Sequence, residues 1–322
     1  MSIPTFPVTP VDDRDERLTA ALEAFRNETI RAADVACLSD LRRTEVPVVE
    51  SVWEDLSEAQ RVSIVRWISE LAEDRVELTF GRFLRLALAD PSPAVRQLAL
   101  GALWEDEAAD LPARLMTILR DDPSPDVKAG AAALLGRCVD RVAGRGGDSP
   151  ERQLLRSALL ACWHDLDEAP VVRRRALEAV SAFGADDDIR RAIGDAFDDG
   201  DALIAVGAVR AMGRTMSADY FGTILAELAS DDAELRYEAA VAAGELGDDR
   251  AVPELGNLID DHDHEVRTAA IMALGRIGGA TAARALADIM ERGEGAVDSD
   301  LVAEALEEAM LEVDPLQNPA TR

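Results

Sequence analysis

LRYEAAVAAG, residues 235–244, and VRTAAIMALG, residues 266–275, are two copies of one phrase. Each runs apolar residue, base, two free positions, Ala, two free positions, Ala, apolar residue, Gly. Further copies read VRQLALGALW from Val95, VKAGAAALLG from Val127, VRRRALEAVS from Val172 and IAVGAVRAMG from Ile204. A worn version, VRWISELAED, starts at Val65. The second position falls at Arg66, Arg96, Lys128, Arg173, Ala205, Arg236 and Arg267, at spacings of 30, 32, 45, 32, 31 and 31. A period near 31 with one interruption identifies a solenoid array.

Each phrase reads as a helix, because its apolar positions line one face of a 3.6-residue period. Alanine dominates that face and lets neighbouring helices approach closely. Ser92-Pro93 and Ser124-Pro125 read as an N-cap followed by proline at the first helical position. Gly244 and Gly275 suit chain reversals after the helix. A second helical segment lies between phrases, at 78–89, 111–120, 220–229 and 252–259. No segment alternates with period two between hairpin turns, so no sheet is expected. The fold class predicted is all-α, a superhelix of about seven helix pairs with helical caps, forming one continuous domain.

The composition excludes several roles. The chain has 322 residues, with 63 acids against 34 bases, a net charge of −29 and a pI near 4.4. Nucleic-acid binding needs a basic footprint, and anionic lipid attracts basic surfaces, so neither nucleic acid nor membrane is an expected partner. The N-terminus lacks the basic and apolar regions of a secretory signal. Cys37, Cys138 and Cys162 stand far apart without metal-ligand spacing, which reads as reduced thiols in a cytoplasmic protein.

Six residues before the basic position stand Asp90, Asp122, Asp167, Asp199 and Asp261, with Ser230 in that place before Arg236. Such an Asp lies in the turn before the helix, where it accepts from free backbone N–H groups. The Arg one turn inside reaches the Asp of an adjacent repeat. Ala205 breaks this ladder and predicts a weaker joint there.

ELGDDRAVPELGNLIDDHDHEVRTAAIMALGRIGG, from Glu245 to Gly279, resembles the HEAT-like repeat named after phycobilin lyases. The resemblance covers roughly 65–279. It implies a right-handed superhelix of antiparallel helix pairs, with the second helices lining a concave face. Proteins with such repeats include chromophore lyase subunits, deoxyhypusine hydroxylase, alkylpurine DNA glycosylases and many scaffolds.

The organisation read along the chain is a flexible tail at 1–15, a divergent helical cap at 16–60 and HEAT-like repeats at 61–284. A C-terminal helical cap follows at 285–313, and a tail, DPLQNPATR, at 314–322. The interruption falls near 143–150, with the flanking helices extended.

Candidate chemistry is sparse. His264-Glu265 invites comparison with the His-Glu pairs that hold iron in deoxyhypusine hydroxylase. Those pairs sit inside the helix after the Val-Arg, whereas His264-Glu265 precedes the phrase, in a turn. No metal, cofactor or catalytic residue is indicated. Cys162 and His164 do not share a helix face in a way that suits a nucleophile and base. Acidic clusters such as 186–188 and 260–263 lack the pattern of a calcium loop. Trp53, Trp67, Trp104 and Trp163 read mainly as core and cap filling, or as anchors in a groove.

The third, fourth and seventh positions of each phrase are expected to face away from the stacked core, into the concave groove. Among them Arg174, Arg175, Arg210, Tyr237 and Glu238 stand out as candidate partner-binding residues. The function expected is a non-enzymatic scaffold or adaptor that takes a protein or peptide in the groove. A lyase-like subunit acting on a bilin or other small ligand is the alternative.

Overall fold

The computed structural model describes residues 11–27, 29–144, 147–292 and 299–313. The expected tail at 314–322 and the first ten residues of the tail at 1–15 lie outside them. The described residues form eighteen α-helices and no strand. Two compact units result, one ending at Leu134 and the other beginning at Leu135. The boundary falls in the repeat that carries the 45-residue spacing.

The first unit contains α1 (Val11–Arg26), α2 (Ala32–Ala36), α3 (Val46–Asp55), α4 (Glu58–Asp74), α5 (Gly81–Ala87), α6 (Pro93–Ala102) and α7 (Leu111–Asp121). The next helix, α8 (Pro125–Gly144), contains the boundary. Helix α1 starts at Val11, inside the stretch expected as tail. Helix α4 shows why the first phrase looked worn. Its N-cap is Ser57, so Arg61, not Arg66, holds the fourth helical position that Arg96 holds in α6. Ile64, Val65 and Ile68 are buried there as are Ala99 and Leu100 of α6 and Leu103 just after it.

The second unit contains α9 (Pro150–His164), α10 (Pro170–Ser181), α11 (Asp187–Phe197), α12 (Ala202–Arg214) and α13 (Phe221–Glu227). It continues with α14 (Ala233–Leu246), α15 (Val252–Leu258), α16 (His264–Ile277), α17 (Gly279–Arg292) and α18 (Ser299–Val313). The phrase helices α10, α12, α14 and α16 stack in chain order, each against the next, and α18 covers α16. The N-caps are Asp201, Asp232 and Asp263, each accepting from the first free amides of its helix. Such a cap contributes about 1 kcal/mol.

The glycines at position ten of the phrase do not reverse the chain. Gly213, Gly244 and Gly275 lie inside helices, where the next helix presses on their backbone. A Cβ on Gly213 would stand 2.6 Å from Cα of Ala242, and one on Gly244 2.9 Å from Cα of Ala273. On Gly275 it would stand 3.1 Å from Cα of Ala305. The reversals belong to Gly247 and Gly278, whose φ values are +65° and +66°, a region glycine enters without steric cost.

Candidate functional site

The aspartate ladder is a structural device. Arg96 forks onto Asp122 with two hydrogen bonds of 2.7 Å, and also donates to the carbonyls of Asp90 and Pro91. Arg236 repeats this on Asp261 at 2.7 and 2.9 Å, and donates to the carbonyls of Ser230 and Asp231. Each Asp uses one oxygen to accept from the amide two residues on, Ser124 and Asp263 respectively. Arg61 pairs with Asp90 at 2.9 Å, and Trp53 donates its indole N–H to the same carboxylate at 2.7 Å. The hydrogen bond from Arg236 holds the Asp261 carboxyl below its ordinary range.

The ladder changes at two places. Arg173 donates to the Trp163 carbonyl and lies over the Trp163 ring, 4.7 Å from its centroid. The turn before α10 uses Asp165, not Asp167, as acceptor. Ala205 leaves α12 without a rung, and Arg174 bridges that helix by another route. It starts on α10, passes over Gly207 of α12 and reaches α14. There it bonds Glu234 at 3.0 Å and Glu238 at 3.2 Å, while Glu178 on its own helix accepts at 2.7 Å. A Cβ on Gly207 would stand 2.5 Å from Cγ of Arg174, so glycine there leaves the crossing open. The expected weak joint is therefore spanned by a buried arginine.

Two of the five candidate residues are thus inside the stack. Arg174 and Glu238 are 6% and 8% exposed, which corrects the expectation that these positions face away from the core. Helix α12 is flanked by α10 and α14, so its third and fourth positions, Val206 and Gly207, are covered too. Arg175 remains exposed, and Arg210 and Tyr237 are half-buried. Arg210 sits 3.6 Å from Glu238 and 3.5 Å from Glu245, and Arg175 bonds Glu178 at 2.7 Å. Burial raises the Glu238 carboxyl above its ordinary range, against the lowering pull of Arg210 and Arg174. An ion set of this kind holds helices in register at a desolvation cost.

The first unit presents a different surface. A groove of about 930 Å³ opens between the end of α4, the 76–80 loop, α5 and the residues following α6. Trp104 and Val76 line it, 48% and 92% exposed. One wall is pinned by three hydrogen bonds: Asp40 N–H to the Thr79 carbonyl, Thr79 N–H to Ser39 Oγ, and Thr79 hydroxyl to Asp40 Oδ1. Asp40 adopts φ +51° to make them. The groove's two arginines are spent internally, Arg82 on the Leu41 carbonyl and Arg85 on Asp106. The sequence pointed to Trp104 only as one of four tryptophans. Trp53 and Trp163 are buried, Trp67 is 38% exposed, and Trp104 is the one that lines the groove.

The remaining candidates are separate. His264 is the first residue of α16 and not part of a turn, and no group of three or more metal-ligating side chains occurs among the described residues. The cysteines are free thiols, with Cys138 buried. No described helix is long and apolar enough to cross a membrane.

No curated protein matches the chain. Among solved structures, human deoxyhypusine hydroxylase in complex with glycerol is 19% identical, covering 84% of this chain and 92% of that one, with a TM-score of 0.35. An engineered protein is 18% identical over 94% of this chain and 92% of its own, with a TM-score of 0.39. A structure described for Kap95p binding to RanGDP is 13% identical over 92% of this chain and 45% of that one, with a TM-score of 0.44. Residues 222–307, spanning α13 to the middle of α18, match the family model of HEAT repeats.

Proposed function

We propose that this chain is a non-enzymatic scaffold or adaptor that binds protein. The observation that carries the reading is the repeat stack. Its charged residues, which would otherwise be candidates for chemistry, are engaged in holding one helix to the next. Helices joined this way present a long, rigid surface, as repeat arrays do. Of the five candidate residues, Arg175, Arg210 and Tyr237 are the ones a partner can meet, and Arg210 lies 3.6 Å from the buried Glu238. The net charge of −29 steers a basic or neutral partner to that surface.

Affinity capture with the tagged full chain, from the cells that make it, tests this. The expected result is one or more proteins in near-stoichiometric yield, released by salt. Recovery of only nucleic acid, or of only a small molecule, overturns it.

A further inference from the structure

We infer that the groove beside Trp104 is a docking site for a basic segment of a partner protein, one that carries an apolar anchor residue. The inference rests on the scaffold reading and adds where the partner sits and what it looks like chemically.

Trp104 occupies position ten of its phrase, where Gly136, Gly213, Gly244 and Gly275 stand in other repeats. In the second unit those glycines admit a neighbouring helix to contact distance. Helix α6 ends at Ala102, before the indole. The indole is left lining an open groove beside Val76. The volume, about 930 Å³, lies within the range of ligand sites. An exposed tryptophan in a concavity is the side chain most enriched at binding hot spots.

The charge selects the occupant. Arg85 is neutralised by Asp106 and Arg82 is tied to the Leu41 carbonyl, whereas Glu73 and Glu105, both exposed on the lining, make no ion pair among the described residues. The groove therefore presents an apolar floor with unpaired carboxylates. A lysine- or arginine-bearing segment complements it, with its apolar residue packed on the indole. An acidic segment would bring like charges together in a partly desolvated site.

Fluorescence polarisation on the full chain tests this, with a fluorescein-labelled peptide of alternating lysine and leucine. The matched peptide of glutamate and leucine is the comparison. Because any basic peptide is attracted to a chain of this charge, the decisive variants are E73K/E105K and D195K/D198K. The second pair changes charge equally, on and just after α11 in the other unit. The expected result is a loss of about tenfold or more with E73K/E105K and with W104A. D195K/D198K should lose less than about threefold, since distant exposed charges are screened. Far-ultraviolet circular dichroism confirms that each variant keeps its helix content. Equal losses for both charge pairs, or binding by W104A at parental strength, overturn the proposal. So does concentration-dependent self-association abolished by W104A, which would make a second copy the occupant. A protein captured from cells that binds W104A and E73K/E105K as well as the parent overturns the groove assignment and leaves the scaffold reading standing.

Discussion

Position ten of the phrase separates the two units. In α12, α14 and α16 it is glycine, and the next helix lies directly on it. After α6 it is Trp104, and a groove opens instead. The same phrase thus carries a glycine covered by the next helix in one unit and a solvent-facing indole in the other. Both units bury charged residues, Asp90 and Arg96 in the first and Arg174 and Glu238 in the second. Where the helices close up, Arg174, Glu178 and Glu238 are sealed between them and act as internal struts. In the first unit, Glu73 and Glu105 remain in solvent.

The closed side breaks most readily at its buried charge. Arg174→Ala would leave Glu178 and Glu238 between helices without their main partner, and should cost about 3–5 kcal/mol, read by urea unfolding. A loss below about 1 kcal/mol would mean that the bridge over Gly207 is dispensable. Next comes the close contact itself. Gly213→Ala places a Cβ against the Ala242 backbone and should cost about 1–3 kcal/mol, typical of overpacking. The cap at Asp232, which accepts from the amides of Glu234 and Leu235 at 2.8 and 3.4 Å, is smaller. Asp232→Ala should cost about 1 kcal/mol by the same measurement.

The buried set and the ladder should answer to pH in opposite senses. Burial raises the Glu238 carboxyl, so its favourable contribution is present in acid and is lost as pH rises through the raised value. Glu238→Gln should therefore compare worst with the parent in acid and improve as pH rises. Asp261, lowered by its bond to Arg236, contributes above the ordinary carboxylate range and loses that contribution as pH falls. Asp261→Asn should compare worst at neutral pH and converge on the parent in acid. Thermal melts of both variants across the carboxylate range check the two signs.

Much of the fold is legible in the sequence because the repeat is local. The 3.6-residue stripe, the Ser-Pro and Asp caps and the Arg–Asp spacing each need only neighbouring residues to be read. The ladder's partners were legible too, since one period relates Arg96 to Asp122 and Arg236 to Asp261. What escaped depends on neighbours two helices away. Arg174 reads as an outward residue from its own helix, and only the stacking of α12 and α14 buries it. Gly244 reads as a terminator until Ala273 is seen to press on it. The register of α4 was lost because Ile64 stands where the other repeats carry alanine, and Val65-Arg66 imitates the phrase. The signal that would have found the groove was present, since a tryptophan replaces glycine at one position of an aligned repeat.

The most direct test of the division is amide hydrogen exchange on Gly213→Ala and Trp104→Gly side by side. The account predicts faster exchange across α12 and α14 in the first variant, and α6 as protected as in the parent in the second. Loss of protection in α6 on removing Trp104, or an α12–α14 joint indifferent to the added methyl, would contradict it.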